Sequence, residues 1–218
     1  MKKIGLTTKH LKTRIEIPGI PQYLTEDALL YEYQTGEFIT REMDDLNYLY
    51  VILNGTAKIL ATQDNGKQII LQFLHAEDLI GELTIIKVEE TVKSIVAMTE
   101  VTCLAIPIET VEKELLPNPD FLYYLAQYIG KKLLFRVEHF KEQQTQELKI
   151  RLAKLMLEIS PNDCYCQKHT EISEYLGVSY RHFMHTFKFF KDKKKKKKEG
   201  KEYLINRDKL NNFIYNSH

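Results

Sequence analysis

A chain of 218 residues holds one large or two small domains, and 44% hydrophobic content is enough to bury a core. No apolar run approaches membrane-spanning length and Met1–His10 lacks the apolar stretch of a signal peptide, so a cytoplasmic protein with no membrane partner is expected. The formal charge of +1 hides an asymmetry, because without the six lysines Lys193–Lys198 it falls to −5 and positive charge gathers at the C-terminal end.

Met1–Thr25 reads as a mixed leader, broken by Pro18-Gly19 and Pro21 into a short helix and a connector. From Ala28 the pattern changes to short alternating or apolar runs: LLYEYQ, EFIT, YLYVILN, AKILATQ, QIILQFL, DLIG, KSIVAM and VTCLAIP. Gly36, Asn54-Gly55, Asn65-Gly66 and Asp78 separate them at the intervals of a sandwich or barrel. Asn65-Gly66 predicts a type I′ hairpin, since both residues tolerate left-handed backbone angles. An antiparallel jelly-roll barrel is the expected architecture. Cys103, inside VTCLAIP, reads as a small core residue. Cys164-Tyr-Cys166 is too closely spaced for a CxxC motif, and no second pair exists to complete a metal site.

Ile108–Leu116 predicts a short helix ended by Pro117-Asn118-Pro119. A long helix follows, from Asp120 to about Gln146, with Leu122, Ala126, Ile129, Leu133, Val137 and Phe140 recurring at steps of four and three. Phe121, Leu125 and Leu134 widen the stripe enough for the helix to lie against its own barrel. A dimer seam is the preferred reading, because helix-turn-helix proteins usually read paired half-sites as two-fold dimers. The next helix, Leu148–Ile159, puts Leu148, Leu152, Leu155 and Ile159 on one face before the turn at Ser160-Pro161-Asn162-Asp163.

Lys168–Lys191 has the pattern of a helix-turn-helix. A first helix from Thr170, its expected N-cap, to Leu176 buries Ile172, Tyr175 and Leu176. Gly177 supplies the bend. Ser179 caps a second helix that turns Phe183, Phe187 and Phe190 inward and leaves Tyr180, Arg181, His182 and His185 outside. In this motif the second helix enters the major groove with its N-terminal residues first, so these side chains reach base edges. Arg181 is the candidate for guanine O6 and N7, while Lys188 and Lys191 face the phosphate backbone. Cap, glycine turn and aromatic face also fit an ordinary helical hairpin. His182 and His185 lie three apart with no third ligand in view, so no metal is proposed.

KHTEISEYLGVSYRH followed by EGKEYLINRDKL resembles the Crp/Fnr superfamily of bacterial transcription regulators, on its YeiL-like branch. Gly36, LYVILNGTAKI, Asn65-Gly66-Lys67 and the run Asp78-Leu79-Ile80-Gly81-Glu82-Leu83 resemble the cyclic-nucleotide-binding domain of that superfamily. The resemblance implies an α+β chain in three parts: an effector-sensing jelly-roll barrel (1–118), a dimerisation helix (119–146) and a winged helix-turn-helix domain (147–218). It implies a homodimer on a double-stranded DNA operator, with RNA polymerase as a further partner. Ser179, Tyr180, Arg181, His182, His185 and Lys188 are the DNA-binding residues it implies.

In relatives that bind cyclic AMP, a glutamate accepts from the ribose 2′-hydroxyl, and an arginine followed by serine grips the phosphate. Glu82 matches the first role. Lys93-Ser94 stands at the second, and no arginine occurs between Arg41 and Arg136. A lysine offers a point charge where arginine offers a planar fork, which argues against cyclic AMP. Gly81, Glu82, Leu83, Lys93 and Ser94 form the candidate effector site, for a small anion. Oxygen-sensing relatives carry a cluster of N-terminal cysteines, which this N-terminus lacks, so no iron–sulfur cluster is expected.

The family pattern also demands a β-wing. EGKEYLIN supplies its hairpin and second strand, with Tyr203, Leu204 and Ile205, and Arg207–Tyr215 reads as a final helix. The first wing strand is expected to be missing, its place taken by Lys193–Lys198. Two readings of that run stand side by side: a basic arm on DNA phosphates, or a departure from the natural chain where an apolar strand belongs. A jelly-roll enzyme would need several histidines and a carboxylate converging in the barrel, and only His75 falls there. No enzyme activity is expected. The remaining rival is a sensor or interaction module without DNA binding.

Overall fold

A computed structural model of the chain describes residues 2–4, 17–26, 28–64, 66, 68–160, 163–190, 193–197 and 200–216. It divides into two compact units, one ending at Leu133 and the other beginning at Leu134.

The first unit is built from β1 (Lys2–Ile4), α1 (Gln22–Glu26), β2 (Leu29–Tyr33), β3 (Phe38–Thr40), β4 (Tyr48–Asn54), β5 (Ala57–Thr62), β6 (Gln68–Leu74), β7 (Leu79–Ile80), α2 (Glu82–Ile85), β8 (Ser94–Ala97) and β9 (Val101–Pro107). The strands form two antiparallel sheets, in the orders β1-β2-β9-β4-β7 and β3-β8-β5-β6. This is the jelly-roll architecture that the alternating runs predict. The leader adds one strand beyond that expectation, β1 pairing with β2.

Alternation along the strands sends the two faces of the larger sheet into two cores. Tyr31, Tyr33, Tyr50, Ile52, Cys103 and Ala105 meet Ile39, Ile59, Ile95 and Ala97 of the smaller sheet. Burial there pushes the Cys103 thiol up to about 12, so it behaves as a small apolar group. The opposite face, with Leu30, Leu49, Val51, Leu104 and Ile106, packs beneath helices. Those helices are α1, then α3 (Ile108–Thr110) running into a π-helical turn at Val111–Leu115, and the start of α4 (Pro119–Thr145). Pro119 opens α4 at a position where its missing N–H costs nothing. Phe121 and Leu125 of α4 are buried in this core, each contributing about 1.5–3 kcal/mol of apolar burial.

The β5–β6 connection departs from the two-residue turn expected of Asn65-Gly66. Thr62 pairs with Gln68, leaving a five-residue loop in which Gly66 has φ +77°, and Asn65 lies outside the described residues.

The second unit holds the end of α4, then α5 (Leu148–Ile159), β10 (Cys164–Tyr165), α6 (His169–Tyr175), α7 (Tyr180–Phe190), β11 (Lys193–Lys197), β12 (Gly200–Leu204) and α8 (Arg207–Tyr215). Leu148, Leu152, Leu155 and Ile159 are buried, as their spacing predicts. The lysine run corrects the expectation of a missing wing strand. Lys193–Lys197 is the strand β11, antiparallel to β12 with Lys193 opposite Leu204, in a sheet ordered β10-β12-β11. Main-chain N–H and C=O groups make this ladder, and they are the same whatever side chain the residue carries. Lys198 lies outside the described residues.

Tyr165, His169, Phe183, Phe187 and Tyr203 form one aromatic cluster, with His169 4.6 Å from Phe187 between ring centroids. Arg207 ties the turn to α8, its Nε donating to Asp163 at 2.5 Å and an Nη to the Ser160 carbonyl at 2.8 Å. Neither His169 nor Arg207 stands out in the sequence, because each owes its role to partners distant in the chain.

Candidate functional site

The helix-turn-helix is built by local chemistry on both sides of one glycine. Helix α6 begins one residue earlier than expected. Thr170 is inside its first turn rather than at the cap, which falls to Lys168 with no side-chain hydrogen bond. The helix is instead secured at its end. Val178 donates to the Ser173 carbonyl at 3.0 Å and Gly177 to the Glu174 carbonyl at 2.9 Å, with Gly177 at φ +67°. This paired closure needs a left-handed residue, which glycine adopts without a Cβ penalty. Ser179 then caps α7 as expected, its Oγ accepting from the His182 N–H at 3.2 Å.

Phe183, Phe187 and Phe190 are essentially inaccessible, at 0%, 0% and 1% exposure. Ser179, Tyr180, Arg181, His182, His185 and Lys188 are all exposed. The structure therefore brings the six DNA-binding candidates onto the outward side of one helix and its cap. Lys191 lies outside the described residues.

The back of the motif is braced by residues that do not stand out in the sequence. Arg151 donates to the Leu176 carbonyl at 2.8 Å, and Gln143 Nε2 donates to the Tyr175 carbonyl at 3.2 Å. Lys154 donates to Glu142 at 2.5 Å. His139 stacks on Tyr175 at 5.0 Å and lines a cavity of about 250 Å³ with Phe135, Glu138, Arg151 and Glu158. Burial holds the His139 imidazole below its ordinary value, against the charges of Glu142 and Glu158, which raise it.

The effector candidates are placed differently. Gly81 has φ +96°, a left-handed conformation that favours glycine at the β7–α2 turn, and a Cβ there would also press on the tip of Leu46. Glu82 opens α2 and is 6% exposed; Leu83 beside it is half-buried. The Glu82 carboxylate accepts from Lys132 Nζ at 2.5 Å, with the two side chains 8% and 10% exposed. One turn earlier on α4, the Tyr128 hydroxyl donates to Asp78 at 2.9 Å and accepts from the Leu79 N–H at 3.0 Å. Burial, then the charges of Asp78 and Glu82, push that phenol well above its ordinary value, so it stays protonated.

Ser94 is buried, its Oγ accepting from the Glu42 N–H at 2.9 Å, and the Glu42 carboxylate accepts from Thr62 at 2.9 Å. Lys93 faces Glu89 at 4.0 Å with its side chain 37% exposed. Gly81, Glu82 and Leu83 are contiguous, but the polar groups of Glu82, Lys93 and Ser94 are each engaged by a different neighbour. Lys132 is the site residue that sequence reasoning misses. Its signal is Phe121, Leu125, Tyr128 and Lys132 at helical spacing, a lysine ending an inward stripe.

Comparison with known proteins matches both units. Residues 30–118 fit the model of the cyclic nucleotide-binding domain. Regulatory protein YeiL of Escherichia coli O157:H7 is 31% identical over 188 residues, covering 86% of each chain. The cAMP-activated global transcriptional regulator CRP of Salmonella typhimurium is 21% identical over 186 residues, covering 81% of this chain and 89% of its own. Among solved structures, one described as a Crp/Fnr-family transcriptional regulator from Eubacterium rectale superposes with a TM-score of 0.69 at 16% identity, over 88% of this chain and 92% of its own. A cyclic-nucleotide-type barrel, a winged reading motif and shared sequence along most of both chains lead to one conclusion: this chain belongs to the Crp/Fnr family of transcription regulators, on its YeiL branch.

Proposed function

We propose that the chain reads a two-fold symmetric DNA operator as a homodimer and that the barrel governs this reading. The observation that carries it is α7. Its cap is made by Ser179, its inner face is locked by three buried phenylalanines, and its outer face presents Arg181, His185 and Lys188 at steps of four and three. That is a rigid helix with donors on the side away from its core, which suits insertion into a major groove. Arg181 is the base-reading residue, Tyr180, His182 and His185 reach base edges or phosphates, and Lys188 holds the backbone. Leu122, Leu133, Val137 and Phe140 of α4 are 42–65% exposed, an apolar row that a second copy of the helix would cover. RNA polymerase is the partner through which such a regulator would act.

Cyclic AMP suits this barrel poorly, because Lys93 replaces the phosphate-gripping arginine and faces Glu89. The experiment is selection of bound sequences from random duplex DNA, using the purified full chain with no ligand added. Recovery of a palindromic site is expected. Recovery of no sequence from the pool, with binding indifferent to salt, would favour an interaction module in its place.

A further inference from the structure

In the cassette that the family resemblance assigns to a ribose hydroxyl, the Glu82 carboxylate is already taken by an ammonium from this chain. Lys132 reaches it at 2.5 Å, and both side chains are almost wholly buried. A buried carboxylate and a buried ammonium each lose hydration, and leaving either alone is strongly unfavourable. A ribose hydroxyl offers Glu82 a neutral donor, a poorer partner than a charged one, and would strand Lys132 without its counter-ion. Around the pair, neighbouring polar groups are also engaged within the chain, and Lys93, 37% exposed, faces Glu89. Tyr128 joins Asp78 to the Leu79 N–H, and Ser94 accepts from Glu42. Tyr31, Tyr48 and Tyr50 pack ring against ring at 5.6–6.2 Å in the core between the sheets.

We infer that Lys132 is the built-in occupant of the effector cassette. Its ammonium holds α4 to α2 without any ligand, and it makes operator binding independent of cyclic nucleotides. Lys132 is thus the residue that sets ligand specificity, by closing the carboxylate to ribose. The inference rests on the reading of the chain as an operator-binding regulator. Coupling through one continuous helix supplies the route, since the helix that carries Lys132 continues to Glu142 and Gln143, which hold Lys154 and the Tyr175 carbonyl.

The test uses the full chain and the operator recovered by selection. Calorimetry with cyclic AMP and cyclic GMP should give no heat of binding, and neither nucleotide should change operator affinity. Lys132→Met should weaken operator binding by about tenfold, within the usual range of coupling between sites. The charge-swapped double variant Glu82→Lys with Lys132→Glu should recover most of that loss. Circular dichroism and gel filtration establish that each variant folds. If Lys132→Met does not, Glu82→Gln, which keeps shape and an acceptor, takes its place with the same expected loss. Saturable nucleotide heat with tighter operator binding would overturn the inference, as would a folded Lys132→Met or Glu82→Gln single variant that binds the operator as the parent does. The calorimetric arm needs no DNA, so it distinguishes failure of this inference from failure of the regulator reading.

Discussion

Arg181 is exposed in the first turn of α7, directly after the Ser179 cap, so its guanidinium extends from a fixed point. A bidentate contact to guanine O6 and N7 discriminates one base pair. Arg181→Ala should therefore weaken operator binding by roughly 1–3 kcal/mol and relax preference at one position. Equal affinities of variant and parent for matched and mismatched duplexes would move the base contact elsewhere. Burial between Phe135 and Tyr175 lowers the His139 pKa from 6.5, partly opposed by Glu142 and Glu158 and reinforced by Arg151. The fold thus favours the neutral ring. The associated stability is complete above about pH 6.5 and is lost as pH falls through the lower folded value, where the unfolded chain binds the proton first. His139→Gln should lose less melting temperature than the parent between about pH 7.5 and pH 5.5. Equal losses would assign the acid sensitivity to other groups.

At the scale of elements, α4 serves two surfaces. Phe121 and Leu125 are buried in the barrel core, while Leu133, Val137 and Phe140 are 60%, 55% and 65% exposed. Phe121 and Leu125 lie on the barrel as their spacing predicts, whereas Leu134, expected beside them, is 70% exposed, and the exposed row is where the proposed dimer seam would form. Val137→Glu combined with Phe140→Glu should convert the dimer to monomer in sedimentation velocity without loss of helix content, because neither side chain supports the core of its own chain. A variant that stays dimeric would place the seam on another face. The wing strand β11 owes its place to backbone pairing. Its lysines are joined to β12 by the main chain, a bond that composition leaves untouched.

For the whole molecule, the lysine run turns a chain of charge −5 into one of charge +1 and places the excess directly after the reading helix in the chain. Phosphate contacts release counterions, so log affinity should fall linearly with log salt for the full chain on its operator. Replacing Lys193–Lys197 with glutamine should keep the wing and reduce that slope by about 0.9 for each phosphate no longer neutralised. An unchanged slope would show that the run does not touch DNA. Two reading helices in one dimer require half-sites with centres about 34 Å apart, one helical turn. An operator with another spacing would require a different arrangement of the pair.

The sequence alone determined the features that rest on local chemistry. Period-two apolar runs with glycine turns point to a sandwich or barrel, and the run around Gly177 and Ser179 to two short helices joined by a tight bend, because backbone geometry and capping act over a few residues; the family resemblance made that pair a helix-turn-helix. Phe183, Phe187 and Phe190 could be placed in the core for the same local reason. Only the tertiary structure decided who neutralises whom. Glu82 and Lys132 are 50 positions apart, Ser94 and Glu42 52, Arg207 and Asp163 44, and no periodicity reports a partner at such distances. Glu82 was named for the effector site only through the family resemblance. That its partner is a lysine of its own chain follows from the fold, which buries both charges together and makes separating them costly.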